Sequence, residues 1–311
     1  MNYTECAKYL SEKNRYLILT HANPDGDTAG SAAALCSALQ RMGKTAYLYS
    51  NPGFTDKLMA YVSGFIAPEG YMPECVIAVD IAEKSLFPCG FEENADLCID
   101  HHPSNRKYAA ATLLDAKRAA CGEIVLKLMK TMKMKPTAVE ATLLYIAVST
   151  DTGCFKYNNT TAETFAATAE LLKAGADNKG VNLAFFNKIS AAKMKLEGLI
   201  YSGIRFFRDG DVAVAVVTKD MIAQCGAGEE DMDDIAGLAA RAESAKISIT
   251  VREKDKRLCR ISVRTSDGVN ASRICEVFGG GGHAAAAGCT IEAEPERAVR
   301  MLMEVIDEVC K

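Results

Sequence analysis

Four short, continuous apolar runs constrain this chain more than any other feature. They are YLILT (16–20), TAYLYS (45–50), CVIAVD (75–80) and ADLCID (95–100). Strands that are apolar without strict alternation belong in a parallel sheet covered on both faces. Two of the runs close on an acid, Asp80 and Asp100, and YLILT leads into His21-Ala-Asn-Pro-Asp25-Gly-Asp27. Between the strands, TAGSAAALCSALQRMG reads as a helix that closes at Gly43. Three further helices are expected over 119–132, 137–153 and 161–177 from their apolar period and terminal glycines. Strands and helices in series predict an α/β fold built on a parallel sheet.

The pattern changes near residue 187. The segment 187–203 reads as a linking helix. Beyond it, IRFFRDGDVAVAVVT (204–218) predicts a hairpin turning at Asp209-Gly210, and KISITVREKDKRLCRISVRT (246–265) predicts a second. A short helix, VNASRICEV, then precedes the glycine-rich FGGGGHAAAAG (278–288), and 294–309 reads as a last helix. The expected organisation is an N-terminal parallel-sheet domain over 1–186, a helical linker over 187–203 and a smaller mixed α/β domain over 204–311. A length of 311 residues suits two domains.

Composition excludes several functions. The net charge is −4, from 36 basic and 40 acidic residues, so no general basic surface exists for long duplex nucleic acid. The N-terminal residues lack the apolar core of a signal peptide, and no run approaches the roughly 18 apolar residues of a membrane span. A cytoplasmic protein without membrane partners is expected. The twelve cysteines include no C-x-x-C pair, so they are expected to be free thiols of a reducing compartment rather than zinc ligands.

Chemistry concentrates at the ends of the apolar runs. His21, Asp25, Asp27, Asp80, Asp100, His101 and His102 all follow predicted strands, and Asp151, in STDTG, follows a long apolar segment. Open α/β sheets bind ligands beyond the carboxyl ends of their strands. Each segment alone has an ordinary explanation: N-P-D-G makes turns, and an Asp after a strand caps helices. Together they put many carboxylates in one crevice, where they repel one another unless cations compensate. An oxygen-rich set with some imidazole suits Mn²⁺ or Mg²⁺. The ligand number suffices for two ions sharing a carboxylate, a site that makes hydroxide near neutral pH and clamps a phosphoryl group. In the second half, four consecutive glycines let backbone N–H groups approach an anion, with His283 directly after them and Arg264 ending the strand before.

These motifs resemble those of the DHH phosphoesterases. Asp100-His101-His102 matches the motif that names the family, HANPDGD its first motif, the VD ending at Asp80 its second and STDTG its fourth. GGGGHAAAAG resembles the signature of the DHH-associated C-terminal domain. The resemblance covers nearly the whole chain, and its two-domain length is similar to the stand-alone nanoRNase type. It implies hydrolysis of short oligoribonucleotides to mononucleotides, of 3′-phosphoadenosine 5′-phosphate (pAp) to AMP, or both. It also implies two divalent cations, Mn²⁺ before Mg²⁺. One would be held by His21, Asp25 and Asp80, the other by Asp27, Asp80, His101 and Asp151. His102 would face the substrate phosphate, and Asp100 would orient a neighbouring imidazole. Arg264, His283 and the backbone of Gly280, Gly281 and Gly282 would hold the terminal phosphate or nucleotide. A homodimer is compatible with the family. One departure is Asn270, where the family often carries Asp.

Two alternatives stay open at this point. One is a cyclic-di-AMP or pApA phosphodiesterase with the same catalytic half. The other, of a different class, is a non-catalytic nucleotide or RNA binder, against which the complete set of candidate ligands argues.

Overall fold

The computed structural model describes residues 1–232, 234–266 and 268–309. It divides into two compact units, Met1–Lys188 and Ile189–Lys311.

Five parallel strands form the sheet of the first unit: β1 (Tyr16–Leu19), β2 (Ala46–Leu48), β3 (Cys75–Val79), β4 (Leu97–Asp100) and β5 (Ala111–Leu114), in the order β2-β1-β3-β4-β5. The first four lie in the predicted runs. The edge strand β5 is four residues long and only half-buried, too short and too mixed to announce itself. Seven helices belong to this unit: α1 (Tyr3–Glu12), α2 (Gly26–Arg41), α3 (Asp56–Val62), α4 (Cys121–Thr131), α5 (Ala138–Asp151), α6 (Ala162–Lys173) and α7 (Asn178–Asn182). The unpredicted α1 opens on a capping box in which Asn2 accepts from the Glu5 amide and Glu5 answers the Asn2 amide.

Alternate residues of β1 and β3 serve different cores, and β4 adds to the first. Tyr16, Ile18, Ile77, Val79, Leu97 and Ile99 share one core with Leu35, Leu39, Ile124 and Leu144 of the helices. Leu17, Leu19, Val76 and Ala78 share another with Phe87, Tyr49, Phe91 and Tyr108. Burial on both faces explains the continuous apolar runs, but the second face is covered by aromatic side chains from loops rather than by helices.

Small residues bring α2 into backbone contact with α5. A Cβ on Gly30 would lie 2.3 Å from the Leu143 carbonyl oxygen, and one on Gly26 2.4 Å from Thr150 Oγ1. Close approach of these helices carries the start of α2 to the end of α5, and so Asp27 to Asp151.

The second unit holds a mixed six-stranded sheet: β6 (Arg205–Phe207), β7 (Val212–Val217), β8 (Ile247–Asp255), β9 (Leu258–Thr265), β10 (Gly281–His283) and β11 (Ala286–Ile291), in the order β10-β11-β9-β8-β7-β6. Both predicted hairpins form, and the first turns through Asp209 and Gly210 with positive φ. The parallel pairing of β7 with β8 is a long-range contact that no local signal marks. Among the described residues, four α-helices complete the unit: α8 (Ala191–Ser202), α9 (Lys219–Cys225), α10 (Ala271–Glu276) and α11 (Pro295–Val309). The helix α8 lies in the stretch expected to link the domains, and it packs Leu196 and Ile200 against Ala213, Ala215 and Val217 of β7. The opposite sheet face shares a core with α10 and α11.

Eleven cysteines are free thiols, nine of them buried, and Cys310 lies outside the described residues. Among the described residues, no helix is long and apolar enough to cross a membrane.

Candidate metal centre

The chain leaves β1 on one side to form β2 and returns on the other to form β3, so the carboxyl ends of β1 and β3 flank a switch point where crevices form. His21, Asp25 and Asp27 follow β1, Asp80 follows β3, and Asp100-His101-His102 ends β4. The ten-residue connection to β5 contains no helix, so the two histidines stay at the sheet edge.

Asp25 caps α2, accepting from the Asp27 and Thr28 amides at 3.0 and 3.1 Å. Its Oδ1 lies 3.6 Å from His21 Nε2. Asp27 is buried and caps a different helix. Its Oδ2 accepts from the Cys121 amide at 2.7 Å, and its Oδ1 from the Gly122 amide at 3.0 Å and Ser31 Oγ at 2.9 Å. The residue preceding α4, Ala120, has no capping side chain of its own. The orphan N–H groups at the start of α4 therefore hold Asp27 in place.

Asp80 sits just past β3 with φ +61°, a conformation that Asp tolerates better than most residues. Its amide donates to the Ile99 carbonyl at 2.9 Å, which turns its carboxylate toward the cluster. His101 Nδ1 lies 3.1 Å from the Arg118 carbonyl oxygen. A carbonyl can only accept, so Nδ1 carries the proton and the neutral ring presents the lone pair of Nε2. That Nε2 is 3.4 Å from Asp80 Oδ1 and 3.7 Å from both Asp27 Oδ2 and Asp151 Oδ2. Asp80 Oδ1 and His101 Nε2 are both buried without a hydrogen-bond partner. Two such atoms facing one another are costly unless a ligand satisfies them.

Asp100 has a different role. Its Oδ1 accepts from the amides of His101 and His102 at 2.8 and 3.2 Å and lies 2.8 Å from His102 Nδ1, while Oδ2 accepts from Asn105. The carboxylate is fully engaged and buried, and by engaging Nδ1 it leaves Nε2 of the partly exposed His102 ring available to a ligand.

The structure thus brings all six expected ligand residues together, in three overlapping groups: His21, Asp25 and Asp80; Asp27, His101 and Asp151; and Asp80, His101 and His102. Within each group the ligand atoms lie within 4.8 Å of one another. Proton affinities follow from the crowding. Burial disfavours a charged His101, but Asp80, Asp27 and Asp151 outweigh it and raise its pKa to about 10. Burial and the nearby carboxylates lift Asp27 well above the usual range and Asp151 to about 6, against the pull of His101. Asp100 is held low despite its burial, by His102 and Asn105. Protons take up the charge that divalent cations would neutralise. Oxygen-rich positions with one or two imidazoles fit a hard or borderline divalent cation.

Three asparagines support this arrangement and carried no sequence signal. Asn105 holds Asp100 and also reaches the Ile81 carbonyl. Asn51 donates to the His21 carbonyl, and Asn159 donates to the carbonyls of Ala119 and Asp151. All three occur in turn-rich segments where Asn is commonplace.

In the second unit, Arg264 of β9 pairs with Ala286 of β11, which pairs with His283 of β10. Residues opposite one another share a face, so Arg264 and His283 project from the same side of the sheet, and both are exposed. The glycine run is more structural than expected. A Cβ on Gly280 would lie 2.3 Å from the Gly288 carbonyl oxygen, and its amide is committed to the Cys275 carbonyl. Gly282 has φ +152° and would meet the Ala286 carbonyl oxygen at 2.5 Å. Gly279 and Gly281 have open space where a side chain would stand, but Gly279 has φ +71°, which favours glycine, so Gly281 alone is free of both constraints. The departure at Asn270 is structurally neutral, because its side chain caps α10 as an Asp would, accepting from the Ser272 amide at 2.9 Å.

Comparison with known proteins agrees with this geometry. Residues 15–148 match the DHH family N-terminal domain, and residues 209–311 match the DHHA1 domain. The chain is 31% identical over 298 residues to a protein of Thermus thermophilus named bifunctional oligoribonuclease and PAP phosphatase NrnA, covering 94% of this chain and 89% of that one. The crystal structure of an exopolyphosphatase-related protein from Bacteroides fragilis shares the fold, with a TM-score of 0.85 and 21% identity over 98% of this chain and 96% of that one. A structure of exonuclease RecJ bound to manganese aligns with a TM-score of 0.53 at 12% identity over 99% and 94% of the two chains. The chain belongs to the DHH family of phosphoesterases and is a hydrolase with a DHH domain followed by a DHHA1 domain.

Proposed function

We propose that this chain is a two-metal-dependent phosphoesterase that hydrolyses short oligoribonucleotides to mononucleotides, pAp to AMP, or both. The observation that carries the reading is the shared position of Asp80, whose unpartnered Oδ1 faces the unpartnered Nε2 of His101 between two ligand groups. The name of the Thermus relative supplies the substrate class.

In this reading His21, Asp25 and Asp80 hold one cation, and Asp27, Asp80, His101 and Asp151 hold the other. The ligand chemistry favours Mn²⁺ or Mg²⁺, and a protein of similar fold is described as bound to manganese. A pair of divalent cations lowers the pKa of water and neutralises charge developing on phosphoryl oxygens. The chain's own residues do the rest. Asp100 fixes the ring of His102 so that its available Nε2 meets the phosphoryl group and stabilises the transition-state charge. In the DHHA1 domain, Arg264, His283 and the amides of Gly281 and Gly282 hold the terminal phosphate of the substrate. One local positive pocket lets an acidic protein take RNA fragments without a basic face.

A panel of substrates with Mn²⁺ tests the reading: labelled RNA of two to twenty-four nucleotides, pAp, pApA, cyclic-di-AMP and pyrophosphate. Turnover is expected for the shortest RNAs or for pAp, and chelation should abolish it. Selective hydrolysis of cyclic-di-AMP or pApA moves the assignment to a dinucleotide phosphodiesterase. Phosphate release from pyrophosphate alone overturns it.

A further inference from the structure

We infer that two asparagines outside the ligand set, Asn159 and Asn51, each brace one cation position, so that the two positions can be weakened separately. The inference rests on the two-cation reading above and goes beyond it by naming positioning residues for each ion.

Asn159 lies in the loop that follows Asp151. Its Nδ2 donates to the Asp151 carbonyl at 3.1 Å and to the Ala119 carbonyl at 3.2 Å. Ala119 is the neighbour of Arg118, whose carbonyl oxygen accepts from His101 Nδ1. One amide group therefore ties the segment that orients His101 to the end of the helix that carries Asp151. Those residues are two of the three ligands in the group Asp27, His101 and Asp151. The amide cannot be turned over, because its oxygen would then face two carbonyl oxygens. Its Oδ1 is buried without a partner, so the two donated bonds set its orientation. The loop also holds three successive residues at positive φ, Gly153, Cys154 and Phe155. Two of these are not glycine, and such backbone persists only where surrounding contacts over-determine it.

Asn51 does the corresponding work on the other side of the switch point. It is buried. Its Nδ2 donates to Thr20 Oγ1 at 2.9 Å and to the His21 carbonyl at 2.8 Å, while its Oδ1 accepts from the Gly53 amide at 2.8 Å. It pins the residue that supplies the imidazole of the group His21, Asp25 and Asp80. Neither asparagine touches a ligand's metal-binding atom, so each acts through the backbone that carries the ligand. Groups that orient metal ligands in this way typically change metal affinity by about 10–100-fold when removed.

The test is calorimetric titration of Mn²⁺ into the metal-stripped full-length protein, with metal-free melting recorded for every variant. Wild type should bind two ions; fewer than two overturns the two-cation reading itself. Asn159→Ala should weaken one binding step at least about tenfold and leave the other unchanged. That loss should persist in an Asp25→Asn background and vanish in an Asp151→Asn background. Asn51→Ala should show the opposite pattern. Asn159→Ser, which keeps a small polar group in the loop, should weaken the same step as Asn159→Ala. Equal weakening of both steps, or no weakening in variants that melt like wild type, overturns the inference.

Discussion

The two units prepare their functional side chains in opposite ways. In the DHH domain, Asp27 and Asp100 are buried and His101 is partly buried, and their orientations are fixed by helix N-termini, backbone amides and one carbonyl before any ligand arrives. In the DHHA1 domain, Arg264 and His283 are exposed, and among the described residues the only hydrogen bond of the Arg264 side chain is to the neighbouring Val263 carbonyl. In the proposed reading, the contrast follows from what each set would hold. Cation ligands repel one another and need a rigid frame, whereas a guanidinium that waits for a phosphate in water needs none.

The largest effect should come from the shared carboxylate. Asp80→Asn keeps the shape and tolerates φ +61°, yet removes the charge between the two groups. Turnover should fall on the order of 10³-fold, while the metal-free protein should melt close to wild type, because relief of the carboxylate crowding offsets the loss of the His101 partner. A metal-free melting temperature well below wild type would assign Asp80 to the fold instead.

Next is the frame itself. Gly30→Ala places a methyl 2.3 Å from the Leu143 carbonyl oxygen and should cost about 2–3 kcal/mol in denaturant unfolding. Gly281→Ala, with nothing within 4 Å, should change stability by less than about 0.5 kcal/mol. Similar costs at the two glycines would erase the contrast between a packed and an open region.

Arg264→Ala should lower kcat/KM about 10–100-fold, as expected for one charge-assisted hydrogen bond. Mn²⁺ affinity and melting temperature should stay at wild-type values. A loss of metal affinity would mean that Arg264 supports the centre rather than the substrate.

The smallest effect, roughly tenfold per pH unit for each displaced proton, is in metal affinity. His101 titrates near 10 in the metal-free protein, against an ordinary value of 6.5. Its protonated form stabilises the metal-free fold fully below about 6.5, and that contribution is lost as pH rises through about 10. A cation must displace this proton, so affinity should rise with pH from neutral upward. Below about 6, Asp151 adds a second proton to displace. Titrations in buffers of different ionisation enthalpy will count the protons, and affinity independent of pH would contradict the assignment of His101.

The sequence made the metal side legible because parallel strands buried on both faces leave continuous apolar runs, and the acids and histidines stand directly at their ends. Asp151 was legible by its motif, but its approach to Asp27 depends on Gly26 and Gly30 admitting α5, a packing fact. Apart from α1, whose capping box is a local signal that was passed over, what escaped was long-range or small: the edge strand β5, the parallel β7–β8 pair, and the asparagines at 51, 105 and 159. In FGGGGHAAAAG the anion argument over-explained the glycines, since strand packing alone requires Gly280 and Gly282.

Diffraction from crystals grown with Mn²⁺, recorded at the manganese absorption edge, tests the central claim most directly. We predict two anomalous peaks about 3.5–4 Å apart, with Asp80 between them, His21 and Asp25 at one, and Asp27, His101 and Asp151 at the other. A single peak, or peaks that leave Asp80 without a metal contact, would contradict a two-cation phosphoesterase built on these residues.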